Sequence, residues 1–199
     1  ATNSGWGGTT ALTNAFAGVG AFALGATSRD AALLSTLAAG AYSAQVTSSS
    51  GGTGVVLVEA YDADAASSGT RFINLSARTL AGTGAQTLIA GFVLSGNVPR
   101  TLLIRGIGPT LGAFGVAGVL ANPRLELRNA ASAVVATNAG WAGAPALAAA
   151  FTQVGAFALP PSSGDAALLI SLAPGSYTAQ VAGTGGATGV ALVEVYEVP

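Results

Sequence analysis

The sequence contains no histidine, cysteine, lysine or methionine, and only 8% of its residues are charged. Each absence removes a class of chemistry. Without cysteine there are no disulfides, thiolate metal sites or covalent haem attachment. Without histidine a serine-hydrolase triad lacks its base, and without lysine a Ser–Lys pair cannot form. No G-x-S-x-G occurs either. Seven scattered arginines against eight acidic residues leave a net charge of −1, with no basic stripe to neutralise a phosphate backbone. Nucleic acid is therefore not an expected partner. Long hydrophobic runs are missing too. The apolar stretches at 11–24 and 146–159 are broken by Asn14 or by Thr152 and Gln153, well short of the roughly 20 residues that a spanning helix needs. Membrane insertion is not expected. The opening Ala1-Thr2-Asn3, with no basic region or apolar core, reads as a processed terminus.

What is present is a repeat. TNSGWGGTTALTNAFAGVGAFAL from Thr2 returns as TNAGWAGAPALAAAFTQVGAFAL from Thr137. LLSTLAAGAYSAQV returns as LLISLAPGSYTAQV, and TGVVLVEAYDAD as TGVALVEVYEVP. The offset is 137 − 2 = 135, and it still holds at Tyr61 and Tyr196 without a gap. The segment 71–136 has no second copy. If that segment is called A and the repeated one B, the chain reads B–A–B, a repeat cut out of phase. The expected organisation is a half-module at 1–64 (first copy of B), a linker at 65–70 and a complete A–B module at 71–199. Residues 137–199 of that module are the second copy of B.

Apolar periodicity points to strands. Arg124 to Arg128 alternates, placing Leu125 and Leu127 on one face and the charges on the other. Ile73, Leu75 and Ala77 follow the same rule, as do Tyr177, Ala179 and Val181 with their twins at 41–46. The continuous runs 87–94 and 101–104 predict strands covered on both faces. Residues 190–198, and 55–61 in the first copy, close each repeat. Ala173-Pro174-Gly175 suits a tight turn, and glycine-rich links at 48–54 and 183–189 punctuate the strands. The spacing Leu12, Phe16, Val19, repeated as Leu147, Phe151, Val154, predicts one short helix per copy. The expected class is all-β: antiparallel β-sandwich or jelly-roll-like modules with a short helix per repeat.

Few residues could carry chemistry. The acidic residues repeated in both copies are Asp30/Asp165 and Glu59/Glu194. The aspartates precede Ala-Ala-Leu-Leu, where a carboxylate caps a turn. The glutamates lie in apolar strands and could pair with Arg78 or Arg105. Asp62 and Asp64 are weak metal candidates, because Asp-x-Asp supplies too few of the six oxygens calcium takes. Trp6 and Trp141, equivalent and beside glycines, could stack on sugar rings or be buried under the helix. Gly82–Gly84 and Gly106–Gly108 lack the lysine of a phosphate loop and read as hairpins. No catalytic residue and no cofactor are expected.

RFINLSARTLAGTGAQTLIAGFVLSG, TLLIRGIGPTL and FGVAGVLANPRLELRN, followed by VGAFAL, DAALL and LAPGSYTAQVAGTGGATGVALVEVYEV, resemble a tandem module of large secreted bacterial surface proteins. The last part is also similar to pre-peptidase C-terminal domains, in which a turn precedes a Tyr-Thr strand and a glycine-rich hairpin. The resemblance implies an extracellular β-sandwich repeat without established catalysis. The departure is the unmatched B copy at the start.

One A half cannot complete two B halves, so one copy keeps open strand edges. The expected function is a non-enzymatic extracellular structural subunit. It would polymerise head to tail with copies of itself into a surface fibre, by strand complementation. The expected subunit contacts are Trp6, Leu12, Phe16, Phe22, Leu57 and Tyr61. The alternative is a segment of a tandem-repeat adhesin or passenger stalk with weak binding to surface glycans.

Overall fold

The computed structural model describes residues 1–64 and 71–199; the expected linker at 65–70 lies outside them. The chain divides into two compact units, Ala1–Phe72 and Ile73–Pro199. The second unit is an antiparallel β-sandwich, as its alternating strands require. Its elements in chain order are β1 (Asn74–Ala81), β2 (Leu88–Leu94), β3 (Arg100–Ile107), β4 (Pro123–Asn129), β5 (Val134–Asn138), a helix (Pro145–Gln153), β6 (Ala166–Leu172), β7 (Gly175–Gly183) and β8 (Gly189–Glu197). The two sheets run β1-β8-β3-β6 and β2-β7-β4-β5.

Strand periodicity assigns each residue to a layer. On β3, Leu102 and Ile104 point between the sheets, where they meet Leu125, Leu127, Val181 and Val193. Leu103 and Ile107 point the other way and pack with Trp141, Phe151 and Leu159. That second cluster lies under the helix, so β3 is covered on both faces, as its apolar run predicts. The other continuous run behaves differently. β2 lies in the other sheet, whose outer face the helix does not cover, leaving Ile89 and Val93 exposed. An apolar run records the absence of polar residues, and whether a further layer covers its sheet is invisible in it.

The helix of the first unit, α1, spans Thr10–Val19, and that of the second, α2, is Pro145–Gln153. Both match the predicted spacing, but their ends are built differently. Thr9 caps α1 by accepting from the Leu12 N–H at 3.4 Å, and Gly20 closes it at φ 72°. At the twin positions α2 has Ala144 without a side-chain cap and Pro145 at its first turn.

The first unit departs from expectation. Among its described residues there is no β-strand, although its sequence at 41–46 and 55–61 is identical to the matching parts of β7 and β8 at nine of thirteen positions. The pairing of the second unit supplies the reason. β6 bonds to β3, β7 lies between β2 and β4, and β8 lies between β1 and β3. No strand of the B half pairs with another strand of the B half. Every ladder bond it makes goes to the A half, so a B half alone has the strand sequences without a sheet to join.

Candidate functional site

The residues with the most chemistry lie at the seam between the A and B halves of the sandwich. Register sets them opposite each other, for Arg105 of β3 pairs directly with Glu194 of β8. Both side chains point toward α2, in an otherwise apolar layer. Arg105 is 0% exposed and Glu194 6%. The guanidinium donates from Nε at 2.8 Å and from Nη2 at 2.5 Å to Glu194 Oε2. Its Nη1 donates to the Phe157 carbonyl at 2.6 Å. Its Cζ sits 4.4 Å from the ring centre of Phe157 and 4.9 Å from that of Phe151. Desolvating two charges is costly, and here the pairing, the carbonyl and the ring faces together offset that cost.

The second carboxylate oxygen of Glu194 accepts from the Tyr196 hydroxyl at 2.9 Å. Burial, then the charge of Glu194 and its hydrogen bond, push the Tyr196 hydroxyl up to about 12. Arg105 pulls the other way and is outweighed. A tyrosine whose ionisation is this disfavoured serves as a hydrogen-bond donor across the neutral range.

Asp165 is the second polar anchor, and it too is fully buried. Its carboxylate accepts from the Gly108 N–H at 2.8 Å, from the Thr110 N–H at 3.4 Å and from the Thr110 hydroxyl. It caps a turn, as expected, but the turn belongs to the A half more than fifty residues away. The glycine at this turn is required by space. A Cβ on Gly108 would lie 2.0 Å from the Leu120 carbonyl oxygen. Gly106–Gly108 is therefore not a hairpin but the passage from β3 into the 3-10 turn Pro109–Phe114. Within six residues, 105 to 110, the A half presents an arginine, a main-chain N–H and a threonine, and the B half meets them with Glu194 and Asp165.

The first copy holds the same B-half groups without their partners. Its local framework is formed. The Trp6 N–H donates to the Asp30 carbonyl at 2.8 Å and the indole N–H to the Gly25 carbonyl at 2.9 Å. Trp141 makes the same bonds to Asp165 and Pro160 at the same lengths. Trp6 packs on Phe16 with ring centres 5.6 Å apart, against 5.2 Å for Trp141 and Phe151. Tyr42 donates to the Ala38 carbonyl as Tyr177 does to Ala173, and Tyr61 donates to Glu59 at 3.1 Å.

Where the A half would pack, the first copy is open. Val46 and Val58 are each 54% exposed, while their twins Val181 and Val193 are completely buried. Leu37 and Leu57 are exposed as well. Burying a side chain of this size contributes about 1.5–3 kcal/mol, so the first copy forgoes several such contributions. Asp30 and Glu59 are exposed. No side-chain hydrogen bond to Asp30 exists among the described residues, and Glu59 has only Tyr61.

The six residues expected at a subunit contact divide accordingly. Phe22, Leu57 and Tyr61 are exposed, Leu12 and Phe16 are half-buried, and Trp6 is buried within its own unit. Trp6 packs on Phe16 inside its unit. Neither tryptophan presents a free ring face to a sugar, since both are more than nine-tenths buried. Asp62 accepts from the Asp64 N–H at 3.0 Å, a local turn. Among the described residues no group of three or more His, Cys, Asp or Glu is placed to hold a metal ion. Among the described residues no helix is long and apolar enough to cross a membrane. The signal for the seam was the duplication of Asp and Glu in both copies; of their partners in the unrepeated half, Arg105 was one of two candidates and Gly108 and Thr110 carried no signal.

No known protein family matches the chain, and no curated protein does. Among solved structures it is similar to the pre-peptidase C-terminal domain of a collagenase from Bacillus anthracis. The two share 12% identity and a TM-score of 0.38, with 62% of this chain and 89% of that chain covered.

Proposed function

We propose that this chain is a non-enzymatic structural stretch of an extracellular surface protein built from A–B sandwich modules in series. In this reading the first copy is the B half of a module whose A half is another segment of the same kind as 71–136. The observation that carries it is the pairing pattern, in which B strands bond only to A strands. The ionisable groups support a structural role, for Arg105, Glu194 and Asp165 are spent on joining the halves. Glu126, flanked by Arg124 and Arg128 on the outer face of β4, forms only surface pairs. The sequence resemblance to secreted bacterial surface modules supports an extracellular setting.

Strand counting favours a series of modules over exchange between identical chains. Each chain carries one A half and two B halves, however the halves are swapped among copies. An assembly of this chain alone always leaves one B half per chain without an A half. A head-to-tail fibre remains the second reading, favoured by the exposed apolar side chains of 33–61. It would have to cover them by packing faces or edges rather than by completing the sandwich.

Amide exchange and sedimentation over a concentration series separate the two. The serial reading expects residues 31–61 to exchange freely in the 199-residue chain at every concentration. Protection of 31–61 that grows with concentration, together with growing particles, would favour the fibre.

A further inference from the structure

We propose that the first copy carries a two-point socket, Glu59 and Asp30, completed on docking, that selects an A-type segment presenting arginine, glycine and threonine in the pattern R-x-x-G-x-T. The proposal rests on the reading of the first copy as a B half awaiting its A half. The occupant is an A-type half-module carried in series on the same polypeptide.

The second copy shows the occupied state of this socket. Arg105, Gly108 and Thr110 follow that spacing. Arg105 is held by Glu194 through two donors on one oxygen, and Gly108 and Thr110 are held by Asp165. The first copy repeats both carboxylates and the groups that aim them. Tyr61 stands on Glu59 as Tyr196 stands on Glu194. The Asp30 carbonyl is tied to Trp6 at the length found for Asp165 and Trp141. Phe16 and Phe22 are the twins of Phe151 and Phe157, which flank the guanidinium of Arg105. Gly54 has open space where its twin Gly189 meets the main chain of Leu120, so close approach of an incoming backbone is provided for.

The chemistry of selection follows from burial. A strand without arginine would cover Glu59 and leave a carboxylate in an apolar layer with only a tyrosine for company, which disfavours docking. Lysine is a poor substitute, because the site uses a planar fork with three donors and two aromatic faces. The arginine also sets register. A slip of one residue would turn it to the opposite face of the sheet. Apolar contact therefore supplies the drive to dock, and the two carboxylates decide which segment docks and where.

The test uses the full chain with residues 71–135 repeated ahead of Ala1, which takes the place of Ala136, giving A–B–A–B. Exchange of 31–61 is read by mass spectrometry, with 166–196 in the same molecule as the internal reference. With the added half unaltered, exchange of 31–61 is expected to slow at least a hundredfold. Arg105→Leu in the added half alone should return at least a tenfold part of that protection. Pairing it with Glu59→Leu should restore protection, because two apolar groups then meet. Arg105→Lys should fall between. If the added half carrying Arg105→Leu protects 31–61 as well as the unaltered one, the socket is refuted and the serial reading stands. If no added half protects 31–61 while 166–196 stays protected, the serial reading falls and the socket with it.

Discussion

The main-chain N–H of Trp6 donates to the carbonyl of Asp30 at 2.8 Å, although the β-sheet that follows Asp165 in the second copy is not formed after Asp30. The clasp from tryptophan to aspartate is thus made within the B half. It needs the helix, the aromatic beneath the indole and the intervening loop, all of them local. The sheet needs the A half. The two copies share one apolar pattern and one local framework, and they differ in whether strands from elsewhere are present.

Hydrogen exchange should draw that line within one molecule. The segments 166–172, 175–183 and 189–197 are expected to exchange slowly, and 31–37, 40–48 and 54–62 rapidly. The Trp6 amide should exchange more slowly than those of 31–37, 40–48 and 54–62. Equal protection of the two copies in the isolated chain would contradict the structure.

Breaking the buried ion pair should be costly and non-additive. Glu194→Leu leaves Arg105 without its carboxylate and is expected to destabilise the sandwich by about 3–5 kcal/mol. Adding Arg105→Leu should recover a large part of the loss, because no charge then remains buried. Denaturant unfolding of the four members of the cycle measures the coupling. Additive losses would show that the two side chains act separately.

Asp165 and Asp30 should respond differently to the same change. Asp165→Ala strips the acceptor from Gly108 and Thr110, at about 1–3 kcal/mol for each buried donor left unmade. Asp30→Ala should leave the stability of the 199-residue chain within about 0.5 kcal/mol, as for an ordinary surface substitution. Thermal melting of both variants decides this.

Alkaline pH should weaken the sandwich through Tyr196. Its hydroxyl is raised to about 12 in the folded chain from an ordinary value of 10.0. Between these values the unfolded chain gives up the proton and the folded chain keeps it. The stabilisation is therefore complete below about pH 10 and disappears as pH rises through about 12. Tyr196→Phe should flatten that part of the stability profile. An unchanged slope from pH 10 to 12 in the variant would rule out Tyr196 as its source.

Periodicity and repetition in the sequence were sufficient for the class of fold, for both helices and for the boundary between two copies and one unrepeated half. These are local properties: an i, i+4, i+7 apolar spacing buries one face of a helix wherever it occurs, and alternation does the same for a strand. The sequence also singled out Asp165 and Glu194, because each appears twice. It left Arg78 and Arg105 as equal partners for Glu194. Only strand register chose between them, placing Arg105 directly opposite while Arg78 pairs with Leu192. The arrangement of layers likewise left one face of β2 uncovered, and the path of the chain made Gly106–Gly108 the exit from β3 rather than a hairpin. The same dependence explains the first copy, whose strand sequences are nearly those of β7 and β8. Ladder hydrogen bonds are made between segments, so a strand is a property of a pair, and only the tertiary structure shows which segments have found their partners.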